Sequence, residues 1–320
     1  MTKFVKTLAV GLLAASLLCG CQFQQPTEPS TQPTTQPTVP EVTYPYDFTD
    51  ESFFYIKNYL NYIPTAPIKG VKADGSFFQL LSHEGFTVMQ GGCTDGKYCY
   101  FYLADTTFMY EGVAQECGMI FKVDMTTWEI VKQSEPLPLS HGNGMCYNPK
   151  LGKILVSYCN DYSNTPDLDE SKMIGFVDPE TLELVESKLI AIAINSIDYN
   201  EKRDLYVVGI KGNAAAFAIL DPEFNELAWY PGNNVNLGSQ DVGCDDNYIY
   251  VGNSGVQSNP GMEVVKFYNW DGDYVGMFRV GNVVEQEAVF SYGGKHYITF
   301  FTGSGGRLYE IEYDFDLLAE

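Results

Sequence analysis

Gln90, Asn143, Asn195, Gln240 and Gln286 each open a similar local run. Gln90 leads Gly91-Gly92-Cys93-Thr94-Asp95, and Asn143 leads Gly144-Met145-Cys146-Tyr147-Asn148. Asn195 leads Ser196-Ile197-Asp198-Tyr199-Asn200, Gln240 leads Asp241-Val242-Gly243-Cys244-Asp245, and Gln286 leads Glu287-Ala288-Val289-Phe290. A carboxamide both donates and accepts hydrogen bonds. Five of them around one axis would suit a carbohydrate or a peptide. They could instead bond exposed backbone where strands converge, and both readings stand at this point. Charged neighbours add chemistry. Asp241 follows Gln240, Glu285 and Glu287 flank Gln286, and His141 precedes Asn143 by two. Asp241 and Glu287 at a suitable separation could hydrolyse a glycoside. Either of them with His141 could abstract a proton or hold a metal. Asp241, Glu287 and His141 are therefore the candidate catalytic set of a glycan-processing hydrolase or lyase. A binding module and a protein–protein scaffold are the non-enzymatic alternatives. His83 and His296 read as structural.

The elements that must position these residues follow from their spacing. The five amides are separated by 53, 52, 45 and 46 residues, the period of a four-stranded propeller blade. Each repeat has an inner strand carrying the amide, a turn, and an alternating strand such as Lys97-Tyr98-Cys99-Tyr100-Phe101-Tyr102. A hairpin follows: Phe121-Lys122-Val123-Asp124-Met125-Thr126-Thr127-Trp128 in the first repeat and Phe176-Val177-Asp178-Pro179-Glu180-Thr181 in the second. Ile219-Leu220-Asp221-Pro222-Glu223 and Phe267-Tyr268-Asn269-Trp270-Asp271-Gly272-Asp273 are its counterparts in the next two. Asp or Asn at a turn start bonds the backbone two residues on. These runs resemble the repeats of bacterial YncE-like and NHL-type β-propellers over about residues 85–313. The resemblance implies an all-β, five-bladed β-propeller and says little about activity, because propellers host many functions. The last repeat, ending in Leu308-Tyr309-Glu310-Ile311-Glu312-Tyr313, lacks a fourth strand. Ser76-Phe77-Phe78-Gln79-Leu80-Leu81 is expected to supply it, closing the ring and removing an exposed edge.

Before the propeller, the chain reads as targeting and tether. Lys3 and Lys6 precede an apolar stretch, Leu8–Leu18, too short to span a bilayer. Leu18-Cys19-Gly20-Cys21 resembles the bacterial lipobox, which implies cleavage after residue 20, lipidation of Cys21, and an extracytoplasmic protein held on the membrane by its lipid. Residues 21–46 form a Pro/Thr/Gln linker that cannot bury a core, so disorder is expected there. In polyproline II conformation its 22–45 stretch would reach about 70 Å. Residues 47–70 read as a short helical segment, with Phe53, Ile56, Leu60 and Ile63 at helical spacing, and 71–320 as the propeller.

Composition narrows the partners. The formal charge of −22 disfavours nucleic acid, which needs clustered lysine and arginine. A monomer is expected. Of eight cysteines, six fall in the propeller: Cys93, Cys99, Cys117, Cys146, Cys159 and Cys244. Cys93 and Cys146 hold the same place in successive repeats, which reads as small buried hydrophobes rather than disulfide partners. No Cys-x-x-Cys pair suggests zinc, and no nucleotide-binding or Gly-x-Ser-x-Gly signature occurs. No cofactor is expected. Calcium is the one candidate ion, at the acidic loops Asn160–Glu170 and Asp271-Gly272-Asp273, neither with EF-hand spacing.

Overall fold

Turn chemistry fixes the hairpins. Asp95 Oδ1 accepts the backbone N–H of Lys97 (2.8 Å) and Tyr98 (2.7 Å), and Asp245 Oδ1 does the same for Asn247 (2.7 Å) and Tyr248 (2.8 Å). Asp124, Asn148, Asp178 and Asp221 cap their turns in the same way. Asn269 Oδ1 accepts from Asp271 N (3.0 Å) and Asp273 N (2.8 Å), so 271–273 is a hairpin turn. Each Asx side chain replaces a backbone acceptor and sets the strand register beyond it.

The computed structural model describes residues 63–318 apart from 106–108, 111–112, 115, 160–168, 214–215, 233–236, 256–262 and 281–283. The targeting segment, Cys21, the linker, the helix expected at 50–62 and most of the acidic loop 160–170 lie outside the described residues. Within them the chain is an all-β, five-bladed β-propeller.

Blade 1 comprises Val88–Thr94, Tyr98–Asp105, Cys117–Asp124 and Ile130–Gln133, with a small ribbon of Met109–Tyr110 and Val113–Ala114 between its second and third strands. Blade 2 comprises Gly144–Asn148, Lys153–Ser157, Met173–Val177 and Leu184–Leu189, and blade 3 comprises Ile194–Asn200, Leu205–Ile210, Phe217–Leu220 and Glu226–Tyr230. Blade 4 is built from Gly238–Cys244, Tyr248–Ser254, Val264–Asn269 and Tyr274–Val280, and blade 5 from Gln286–Tyr292, Lys295–Phe301 and Gly306–Ile311. The first strand of each blade is innermost, and inner strands touch in blade order, with that of blade 5 returning to that of blade 1.

The ring closes as its missing strand required, with more chain than expected. Phe78–Leu80 pairs antiparallel with Gly306–Leu308. Ile68–Gly70 pairs with the other half of the same edge, Tyr309–Ile311. The excursion between them folds back so tightly that a Cβ on Gly70 would lie 2.1 Å from Gly75 O. Thr65–Ala66 runs parallel to Arg279–Val280 at the edge of blade 4. Arg279 N donates to Pro64 O (2.9 Å) and Glu312 N to Pro67 O (3.0 Å). Residues 64–80 therefore stitch blade 4 to blade 5. This corrects the expected boundary at residue 71, since 65–66 and 68–70 are strands. Their apolar residues are needed on edges that only the folded ring creates.

Wedges of large side chains fill the spaces between blades. Between blades 1 and 2, Tyr100, Tyr102 and Ile120 pack on Met145, Ile154 and Val156. At the closure, Phe78 lies 5.9 Å from Phe101 and 6.0 Å from Trp128, ring centre to ring centre. All six described cysteines are buried, and none is joined to another by a disulfide. Burial pushes Cys99 and Cys117 up to about 12 and Cys93, Cys146 and Cys244 well above the ordinary thiol value. They behave as core atoms.

Candidate functional site

Four inner strands carry a register shift at one level, the blade 2 chain makes a matching offset just before its strand, and this level selects the site. In blade 3, Ile194 pairs with Ile210 and Ser196 with Gly209, which leaves Asn195 as an extra residue. In blade 4, Ser239 pairs with Asn253 and Asp241 with Gly252, which leaves Gln240. In blade 2, Gly142 N bonds Tyr158 O and Gly144 pairs with Ser157, which leaves Asn143. In blade 1, Gln90 and Gly91 together face Tyr102, between the pairs Met89–Leu103 and Gly92–Phe101. In blade 5, Glu287 and Ala288 face Thr299, between Gln286–Phe300 and Val289–Ile298. A bulge frees a residue from the ladder and re-aims its side chain. The equivalent positions are thus Gln90, Asn143, Asn195, Gln240 and Glu287.

This moves one expected residue. Gln286 stands one place before the ring, at the level of Met89 and Ile194, and its side chain is fully buried. Its Nε2 donates to Val264 O (2.9 Å) and to Asn253 O. It bonds backbone between blades 4 and 5. An alignment by residue type matched amide to amide, whereas the strand register matches Glu287 to the four amides.

The other amides divide. Asn143 Nδ2 reaches Gln240 O of blade 4 at 2.6 Å, so this position points across the channel and the ring is narrow. Gln240 Nε2 donates to Glu285 Oε1 at 2.6 Å. Asn195 Oδ1 accepts the Ser196 hydroxyl at 3.1 Å. Gln90 is 4% exposed, and its Oε1 has no partner among the described residues. Small residues beside the ring permit this closeness. A Cβ on Gly144 would stand 2.5 Å from Ser196 Cα, and one on Gly91 would stand 3.0 Å from Gly142 O.

The expected catalytic set is not assembled as a set. Asp241, 2% exposed, points into the crevice between blades, where its Oδ2 accepts Val289 N at 3.0 Å. Burial pushes its carboxyl well above the usual range, against the pull of the Val289 and Val242 N–H groups. Asp198 makes the matching bond one blade earlier, accepting Cys244 N at 2.7 Å, and burial pushes it up to about 7. Glu287, 4% exposed, is raised strongly by burial and then by Glu285, Glu263 and Asp241. His141 pairs with neither Asp241 nor Glu287. Its Nδ1 lies 2.5 Å from Glu116 Oε1, and Glu116 is almost fully buried. Left-handed backbone at Ser140 (φ 56°) and Gly142 (φ 66°) brackets His141. A Cβ on Gly142 would strike the Tyr102 ring at 2.1 Å, and Tyr102 Oη donates to Ser140 O at 2.8 Å.

Two functional-looking carboxyls escaped the sequence. Glu116 and Glu263 each lie just before the third strand of a blade, neither in a repeated motif. Glu263 is fully buried, accepts from Ser254 Oγ (2.9 Å), Gly255 N (3.3 Å) and Gln286 N (3.1 Å), and is pushed up to about 7 by burial. Among the described residues, no group of three or more His, Cys, Asp or Glu side chains could hold a metal ion.

No family model matches the chain, and no curated protein sequence matches it. Solved structures similar to it include the glutaminyl cyclase of Myxococcus xanthus, with 12% identity over 73% of this chain and 94% of that one, at a TM-score of 0.47. The hydrazine synthase of Kuenenia stuttgartiensis shows 12% identity over 69% of this chain and 57% of that one, at 0.40. The β-propeller domain of Cps50 (Swd1) from Myceliophteria thermophila shows 8% identity over 73% and 98%, also at 0.40. At these values the likenesses bear on neither activity nor ligand.

Proposed function

We propose that this protein is a ligand-binding β-propeller, anchored outside the cell by lipid on Cys21, that takes a carbohydrate or peptide at the channel mouth where the inner strands begin. The observation that carries the reading is the shared bulge, which sets Gln90, Asn143, Asn195, Gln240 and Glu287 at one level. Four distorted ladders and the offset before the blade 2 strand are more than backbone satisfaction needs, since Gln90 Oε1 remains without a partner. Bulges that aim polar groups into a cleft are a common feature of binding sites. The repeat pattern supports kinship with YncE-like and NHL-type propellers, and the Leu18-Cys19-Gly20-Cys21 run supports the anchor.

A panel of glycans and short peptides tests the mouth. Gln90→Ala with Asn195→Ala should weaken the best binder by roughly tenfold or more, the effect of one or two lost hydrogen bonds, while melting stays within a few degrees. A large fall in melting temperature with no change in binding would make the ring purely structural. Cys21→Ser should release the protein from membranes on fractionation; membrane retention equal to wild type would remove the anchor.

One observation favours a second reading. A buried carboxylate orienting a half-exposed imidazole, as Glu116 orients His141, is the arrangement of a general base. A hydrolase or lyase would then use His141 and Glu287. Turnover of a glycan or peptide that is lost in His141→Asn with binding retained would establish it, and absence of turnover across the panel would leave the binding module.

A further inference from the structure

We infer that the ligand of this mouth carries a primary ammonium group, seated on Glu287 beside Gln90. The inference rests on the mouth being the binding site, and adds the chemical class of what enters it. Three observations carry it. The first is Gln90 Oε1, a ring-position acceptor on a side chain 4% exposed that has no partner among the described residues. An unmet buried acceptor is a standing demand for a donor.

The second observation is position. Gln90 and Glu287 hold equivalent bulge positions on the touching inner strands of blades 1 and 5. The Glu287 carboxyl makes no hydrogen bond with any described residue; only burial and neighbouring charge act on it. The ring amides beside it are already engaged, Gln240 Nε2 with Glu285 and Asn143 Nδ2 with the Gln240 carbonyl.

The third is charge. The groups acting on Glu287 are Glu285, Glu263 and Asp241, every one acidic. No lysine, arginine or histidine faces it among the described residues, and the undescribed segments between 63 and 318 contain none of these. A neutral sugar would meet the Gln90 acceptor but bring no cation to a carboxyl crowded by acidic groups. A compact ammonium with three donors meets both demands. Amino sugars and peptide amino termini share that chemistry.

Burial and three acidic neighbours raise the Glu287 carboxyl well above the ordinary range. A seated ammonium favours the carboxylate and lowers it again, so binding should release a proton in the pH window between the two.

The full chain is titrated by calorimetry with two matched pairs, glucosamine against N-acetylglucosamine and glycylglycine against its N-acetyl form, and with calcium chloride. The free amine of at least one pair should bind tenfold or more tightly than its acetylated mate, and which pair responds identifies the source. Glu287→Gln should abolish the preference at unchanged melting temperature. Should that variant fail to fold, wild-type titrations in buffers of different ionisation heat at several pH values from about 4 to 8 carry the test: proton release within that range supports the assignment, and its absence throughout overturns it. Equal binding of acetylated mates, weakened by Gln90→Ala, overturns the ammonium and leaves the mouth reading intact. A preference that survives in Glu287→Gln, or calcium binding that Glu287→Gln abolishes, overturns it too. Binding of none of the probes overturns it as well, and the wider panel then judges the mouth alone.

Discussion

Replacing Glu263 by glutamine should change stability by an amount whose sign depends on pH. Glu263 is fully buried, and burial outweighs the three hydrogen bonds it accepts to push its carboxyl from the ordinary 4.5 up to about 7. A carboxyl raised in the folded state binds its proton more tightly there than in the unfolded chain. Stability from this group is therefore complete below about pH 4.5 and is lost as pH rises through about 7. The full loss amounts to roughly 3 kcal/mol. Glutamine cannot ionise and escapes it. Its cost is one hydrogen bond: Oε1 can still accept from Ser254 Oγ and Gly255 N, but an amide nitrogen at the Oε2 position faces the Gln286 N–H, donor to donor. That costs about 1–3 kcal/mol at every pH. The variant should be less stable than wild type at pH 4.5–5, and equal or more stable at pH 8.5. Urea titrations of both proteins across that range give the difference directly, and taking the difference cancels the titration of all other groups. A difference that stays constant with pH, or that increasingly favours wild type as pH rises, would show Glu263 ionised throughout and refute the argument.

Gly144→Ala places a methyl 2.5 Å from Ser196 Cα and 2.7 Å from Ile197 N, backbone that cannot swing aside; a loss of about 1–3 kcal/mol is expected from overpacking, and an unchanged urea midpoint would show the inner strands to be looser. Deleting residues up to Leu81 removes both partners of the Gly306–Ile311 edge and should produce aggregation on size-exclusion chromatography; a monodisperse, folded product would show closure to be dispensable. The six thiols are buried and not joined in disulfides, so non-reducing alkylation should label almost none in the native protein and all six after denaturation. Fewer than six labelled after denaturation would reveal bridges.

The architecture was legible in the chain because it is written locally. Asp95, Asp124, Asp178 and Asp245 each close a turn within a few residues of themselves, and alternation between turns sets which face of a strand is buried. Repetition then multiplies a weak signal five times, and the short last repeat announces that an earlier strand must complete it. Closure by Phe78–Leu80 was legible for that reason. The contribution of 64–70 was not, because a two-residue parallel pairing such as Thr65–Ala66 with Arg279–Val280 has no periodicity of its own and exists only once blade 4 offers an edge. The ring was legible in kind and off by one residue in blade 5. Spacing in sequence cannot show where a ladder slips, and there the bulge lifts Glu287, not Gln286, to the level of the four amides. The pairing of His141 with Glu116 rather than Asp241 or Glu287 was likewise decided by tertiary structure. Which carboxyl meets which imidazole depends on how the closed ring directs each chain, and so do the raised pKa values of Asp241, Glu263 and Glu287. Burial causes them, and burial belongs to the assembled propeller and not to any segment of it.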